Sequence, residues 1–112
     1  MRARSVGANL TAATATTLFT VPTGYYAKCV LIHATNSTAS NKHISVSWYD
    51  SSASLSIPVL FEYTINSKTT LAEIESTKYI VMEEGDYLTA TSETGSTISV
   101  IATFEVEGAQ RL

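Results

Sequence analysis

Apolar and polar residues alternate over short stretches of this sequence. The clearest case is the stretch 43–50, where the apolar set Ile44, Val46 and Trp48 alternates with the hydroxyl set Ser45, Ser47 and Tyr49. The stretch 98–106 alternates in the same way and includes Phe104. A period of two predicts strands with one buried face. Trp48 and Phe104 are therefore expected to be core residues.

Five further stretches have the composition of strands. They are residues 16–21, 25–34, 59–65, 78–82 and 87–91. The stretch 25–34 is apolar at both parities, which predicts a strand covered on both faces. Pro58 precedes the stretch 59–65 and predicts an edge strand, or the first residue of a strand. Residues 68–77 are ambiguous between one short helical turn and an irregular connection.

Turn signals separate these stretches. Pro22 and Gly24 end the first, while Gly85 and Asp86 lie in a tight turn for which Gly85 supplies a positive φ. This turn is expected to bring residues 87–91 back antiparallel to 78–82. The spacing predicts an all-β fold, a single antiparallel β-sandwich of jelly-roll or Ig-like type with about seven to eight strands.

The first fifteen residues show no apolar period and are rich in Ala and Thr. We expect residues 1–15 to form an extended N-terminal arm and residues 16–112 to form the sandwich domain. Such an arm could lie across a neighbouring subunit. Its candidate contact residues are Arg2, Arg4, Asn9 and Leu10.

Composition limits the class of partner. Charged residues make up 15% of the 112 residues, against about 25% in typical domains, while Ser and Thr number 31. A net charge of −3 with seven basic residues argues against a nucleic-acid partner. The chain has no apolar run of about 18 residues and no signal-like start, so we expect no membrane partner and no secretion. Two uncharged sheet faces and uncharged loop tips are expected.

Candidate chemistry is sparse. His33 and His43 are expected to flank the loop of one hairpin, but they lack a third ligand at a recognisable spacing. The lone Cys29 lies in an apolar run and is expected to be an inert core residue. We therefore expect no catalytic residues, no metal, no cofactor and no enzyme activity. Tyr25, Tyr49 and Tyr63 could form a glycan-stacking or protein-binding platform, or they could be half-buried strand residues.

Several runs along the chain resemble a known pattern. They are 18–27 (LFTVPTGYYA), 30–32 (VLI) with Asn36, 44–48 (ISVSW), 85–88 (GDYL) and 104–107 (FEVE). Together they resemble the small virion structural proteins of tailed bacteriophages over roughly residues 9 to 107. The resemblance implies a β-sandwich that coats or joins parts of a phage particle, without active-site residues.

The sequence therefore favours a non-enzymatic viral structural protein located in the virion. The first hypothesis is a capsid decoration (cement) protein that binds and stabilises the shell. Its partners would be the major capsid protein or tail and neck proteins, and it would be a homo-oligomer or present in many copies. A tail, neck or fibre-base component is the second hypothesis, and a carbohydrate-binding or host-recognition module is the third.

Overall fold

Nine β-strands make up the computed structural model, which describes residues 2–10, 15–74, 79–93 and 97–108. Their bounds are β1 Arg2–Leu10, β2 Thr16–Thr20, β3 Tyr25–Asn36, β4 Lys42–Asp50, β5 Leu55–Ile65, β6 Thr69–Ile74, β7 Ile80–Met82, β8 Tyr87–Ser92 and β9 Ile98–Gly108. The described residues contain no helix.

The strands form two antiparallel sheets. Sheet A has the order β1-β9-β3-β6, with β7 also pairing β3, and sheet B has the order β2-β8-β4-β5. Because β6 and β7 both pair with the same edge of the sheet-A path, they occupy one strand position, and the fold has eight positions. Successive positions cross between the sheets except at β4 and β5. The predicted antiparallel sandwich is confirmed, and the order is that of a jelly roll.

The core lies between the inner faces of the two sheets. Ile44 and Val46 of β4 and Ala102 and Phe104 of β9 are fully buried there. The ring of Phe104 packs against Phe19 of β2 with 4.6 Å between centroids. Trp48 is half-buried and packs against this core from its margin. The alternating strands thus supply the core from both sheets.

Two predicted hairpins are wrong. β7 lies in sheet A and β8 in sheet B, so the turn that contains Gly85 carries the chain between sheets. The loop between β3 and β4 makes the same kind of crossing, and it separates His33 of sheet A from His43 of sheet B. A tight turn and a sheet crossing use the same Gly, Asn and Asp residues, so local composition does not distinguish them. The ambiguous stretch after Lys68 contains the strand β6.

The expected N-terminal arm is corrected for residues 2–10. These residues form β1, which pairs with β9 from Arg2 opposite Val106 to Leu10 opposite Ile98 without a register shift. Leu10 is buried, and Val6 and Ala8 pack against the core. Alternating small residues obscured this period in the sequence. Residues 11–14 of the expected arm lie outside the described residues.

β3 is only partly covered on its outer face. Its inner residues, such as Ala27, Ile32 and Ala34, are buried, while those between them are half-buried. β9 pairs with one edge of β3, and β6 and β7 pair with the other. The strand is apolar at both parities because it lies at the centre of sheet A, not because a second layer covers it.

Candidate interaction surfaces

The turn around Asp86 is a buried hydrogen-bonded structure. One carboxylate oxygen of Asp86 accepts hydrogen bonds from the indole N–H of Trp48 at 3.1 Å and the backbone N–H of Glu83 at 3.0 Å. The other accepts from the backbone N–H of Ser51 at 3.0 Å. A buried carboxylate is stable only when such donors replace its water. Asp86 therefore fixes three segments at one end of sheet B.

Gly85 and Gly24 complete the same end of the molecule. Gly85 has a φ of 87°, and a Cβ there would lie 2.7 Å from the hydroxyl of Ser51, so no larger residue fits without a shift. The backbone N–H of Gly24, which follows the Pro22 turn, donates to the carboxylate of Glu84 at 2.7 Å. The carboxylates of Glu84 and Asp86 are thus engaged in structure.

The opposite end of the sandwich is held by Asn36, a role that the sequence analysis did not identify. Its amide nitrogen donates to the carbonyls of Ile65 at 2.9 Å and Ser40 at 3.0 Å. Its amide oxygen accepts from the backbone N–H and the hydroxyl of Thr38. Asn36 is fully buried. A buried side-chain amide with partners on both atoms connects the β3–β4 loop to the end of β5.

The outer face of sheet B is uncharged across its centre. Neighbouring residues of β4 and β8 pair there as Ser45 with Thr91, Ser47 with Thr89 and Tyr49 with Tyr87. The two tyrosine rings stack with 4.7 Å between centroids. Hydroxyl groups can exchange water for a partner's backbone groups at low cost, whereas an unpaired charge cannot. This face suits contact with another protein surface.

The outer face of sheet A is different and corrects the expectation of two uncharged faces. Lys28 forms an ion pair with Glu105 at 3.8 Å, and its ammonium lies 4.5 Å from the ring centroid of Tyr79. Closer to the edge, Ser5 bonds to Thr103 and Ser99 bonds to Asn9 through their side chains. Many polar side chains of this face therefore already have partners within the chain.

Strand β5 carries the most exposed apolar surface of any described strand. Its exposed fractions are 55% for Leu55, 39% for Ile57, 74% for Phe61 and 46% for Tyr63. These four residues are called the β5 strip below. On β5, Leu60 and Ile65 are the residues that are buried. β5 is also an edge strand, so the strip borders the open side of sheet B.

The three tyrosines of the predicted platform do not come together on one face. Tyr25 begins β3 in sheet A, and Tyr49 lies on the outer face of sheet B. Tyr63 lies opposite the buried Ile44 and so faces the core side of the sheet-B edge. Tyr25 and Tyr63 are exposed, while Tyr49 is half-buried against Tyr87. The aromatic pair that the fold does assemble is Tyr49 with Tyr87.

Cys29 and His43 occupy structural positions. Cys29 is fully buried, and its thiol donates to the carbonyl of Leu31 at 3.8 Å. Burial raises the pKa of Cys29 to about 11. The backbone N–H of His43 donates to the Glu93 carboxylate, which also faces the Lys42 ammonium. Among the described residues, no group of three or more His, Cys, Asp or Glu side chains could hold a metal ion.

No helix in the described part of the chain is long and apolar enough to cross a membrane. No protein-family model matches the chain, and a search of curated proteins gives no match. Among solved structures, the chain is similar to a protein of Bacillus endospore appendages, which are described as a novel family of disulfide-linked pili. The likeness has 10% identity and a TM-score of 0.56, and it covers 96% of this chain and 87% of that one. At this identity the two proteins share a fold.

Proposed function

We propose that the protein is a non-enzymatic structural subunit that takes its place, in many copies, in a larger assembly. The observation that carries this proposal is the exposed β5 strip beside the uncharged outer face of sheet B. A free monomer gains nothing from a long apolar edge, whereas an assembly buries it. The likeness to a pilus protein supports the same kind of role.

The finer proposal is a capsid decoration protein of a tailed bacteriophage. It is supported by the resemblance of the runs 18–27, 44–48 and 85–88 to phage virion proteins. The major capsid protein would then cover the hydroxyl face of sheet B. The edge strand β1 would add contacts to a neighbour, with the exposed Arg4 facing its acidic groups. Weak contacts repeated over a lattice give firm attachment when the geometry allows simultaneous engagement.

A second candidate is the subunit of an extracellular polymer, which the fold of the appendage protein favours. That protein's pili are disulfide-linked. The one cysteine of the present chain, Cys29, is buried in its core and cannot reach a second copy without unfolding. A polymer of this chain would therefore be held by non-covalent contacts, and reducing agents would leave it intact.

Antibody labelling tests the proposal. Phage particles and extracellular appendages are purified from the source culture and labelled with antibody raised against the folded chain. Regular labelling over phage shells supports the decoration protein, labelling at one vertex or along tails supports a tail or neck component, and labelling along appendages supports the polymer. Recovery of the protein only as an unattached monomer would contradict a structural role.

A further inference from the structure

The β5 strip is large enough to be an interface. Fully burying an aromatic side chain removes about 150–250 Å² from water, so the exposed parts of the four residues amount to roughly 400 Å². Patches of about this size are the largest that typical monomers expose, and they are often functional. The whole chain exposes 6282 Å². One standard contact of about 800 Å² per partner would need this strip and its polar surroundings.

Two residues of the strip, Ile57 and Tyr63, continue the core face of sheet B past the edge of the sandwich. Directly opposed residues share a face of a sheet, and Ile57 lies opposite Trp48. Tyr63 lies opposite the buried Ile44 in the same way. These side chains therefore point to the core side, but the chain itself does not fully cover them. The edge is left for a partner to complete.

Pairing with arbitrary strands is limited by the irregular backbone of β5. Pro58 has no N–H to offer, and the register with β4 shifts twice between Ile44 and Ser47. Glu62, at one of these shifts, has a φ of 47°. Proline, bulges and a charge are the features that protect edge strands from indiscriminate pairing. A partner is consequently selected by side-chain fit and charge more than by a continuous backbone ladder.

Charge indicates which partner fits. Glu62 is the one charged residue in β5, whereas β1 contains two arginines and no acidic residue. Arg4 is exposed, with its guanidinium 5.4 Å from the ring centroid of Phe19. β1 is also an edge strand, it has no proline, and its register is unbroken. A contact between two β5 strands contains no basic residue to pair with Glu62, whereas β5 facing β1 brings Glu62 to an arginine.

We propose that the β5 strip of one copy packs against the β1 edge of a second copy, with Glu62 facing Arg4. This inference rests on the proposed structural role and names the surface that joins the copies. The two edges are different surfaces on opposite sides of the sandwich, so the contact is head-to-tail. Head-to-tail contacts generate rings if the rotation closes and filaments if it does not.

Sedimentation velocity over a range of concentrations tests the contact. Wild-type chain is expected to associate, and Phe61→Ser and Glu62→Arg are each expected to weaken association at least tenfold. Arg4→Glu should do the same. Tyr26→Ser is the matched control, since Tyr26 is an exposed aromatic residue on β3, which is a central strand of sheet A. Circular dichroism of each variant verifies folding.

The decisive experiment mixes the two charge-reversed variants. Glu62→Arg and Arg4→Glu chains each carry one reversed edge, so each should be defective alone. A mixture pairs reversed with reversed and native with native, and it should recover association to within about threefold of wild type. Mixing cannot repair misfolded chains, so recovered association would show that the single variants failed through their reversed charges.

Two outcomes separate failure of the contact from failure of the function. If the wild type associates but none of the three variants changes it, or if the mixture does not recover, the β5–β1 contact is wrong and the structural role stands. If the wild type is monomeric at all concentrations yet labels phage particles, the second copy is the wrong occupant of the strip, and the role again stands. A monomer that labels no assembly contradicts both.

Discussion

The two edge strands β1 and β5 differ in where their apolar side chains lie. β1 is regular and built of small residues, and it buries Leu10 while Val6 and Ala8 pack against the core. β5 is two residues longer, bulged and apolar, yet most of its large side chains are exposed. β1 therefore stabilises the fold of its own chain. The four residues of the β5 strip contribute little to that fold, as expected of a surface that contacts another molecule.

The largest expected effect is a loss of unfolding free energy, measured by replacing one leucine on each strand. Leu10→Ala empties a buried site and should lower the free energy of unfolding by about 3 kcal/mol. Leu55→Ala removes the same atoms from a side chain that is 55% exposed and should cost no more than about 1 kcal/mol. Urea unfolding of the two variants measures both values. Equal losses would mean that Leu10 of β1 and Leu55 of β5 stabilise the fold to the same extent.

The burial of the core beside β9 can be tested through Cys29, which lies in β3 opposite Phe104 of β9. The unfolded thiol ionises around its ordinary pKa of 9.0, while burial holds the folded thiol protonated to about 11. The unfolded state therefore binds fewer protons between these values, and stability falls as pH rises from about 9 to 11. The loss attributable to Cys29 should reach about 2 kcal/mol.

Tyrosines and lysines titrate in the same range, so the Cys29 contribution is taken as a difference. Urea unfolding of wild type and Cys29→Ala is compared at pH 8 and pH 11. The wild type should lose more stability over this interval than the variant. Parallel losses would mean that the thiol ionises as readily in the folded chain as in the unfolded one, and that the core beside β9 is open to water.

The anchoring of β5 depends on Asn36, whose amide holds the carbonyl of Ile65 at the end of the strand. Asn36→Ala leaves that carbonyl and its neighbours without a donor and should cost about 2 kcal/mol. Asn66→Ala is the control, because Asn66 is exposed in the turn that follows β5, and it should change stability by less than about 0.5 kcal/mol. Thermal unfolding of both variants measures the difference. If Asn36→Ala were as mild as its control, the end of β5 would be held by other contacts.

Sequence alone predicted the parts of the fold that depend on neighbouring residues. Alternation located β4 and β9, because Ile44, Val46 and Phe104 recur at the spacing of a half-buried strand. The same reasoning missed β1, where Ala3, Gly7 and Ala8 weaken the contrast between buried and exposed positions. A period of two is visible only when the alternating side chains differ in polarity.

Non-local structure was harder to predict. Gly85 and Asp86 correctly indicated a turn, but only the fold shows that this turn crosses between the sheets. Asn36 looked like an ordinary loop residue, since nothing near it in sequence reveals that Ile65 is its partner. The exposure of Phe61 was also hidden, because an apolar residue in a strand usually lies in a core.

The most direct measurement is oxidative footprinting of Phe61 and Tyr63 in the free chain and in the assembled state. Both side chains should be labelled in dilute chain and protected in the polymer or on the particle by at least fivefold. Tyr79, exposed beside Lys28 on sheet A, should be labelled equally in both states. Equal labelling of Phe61 and Tyr63 in the two states would contradict a role for the β5 edge in assembly.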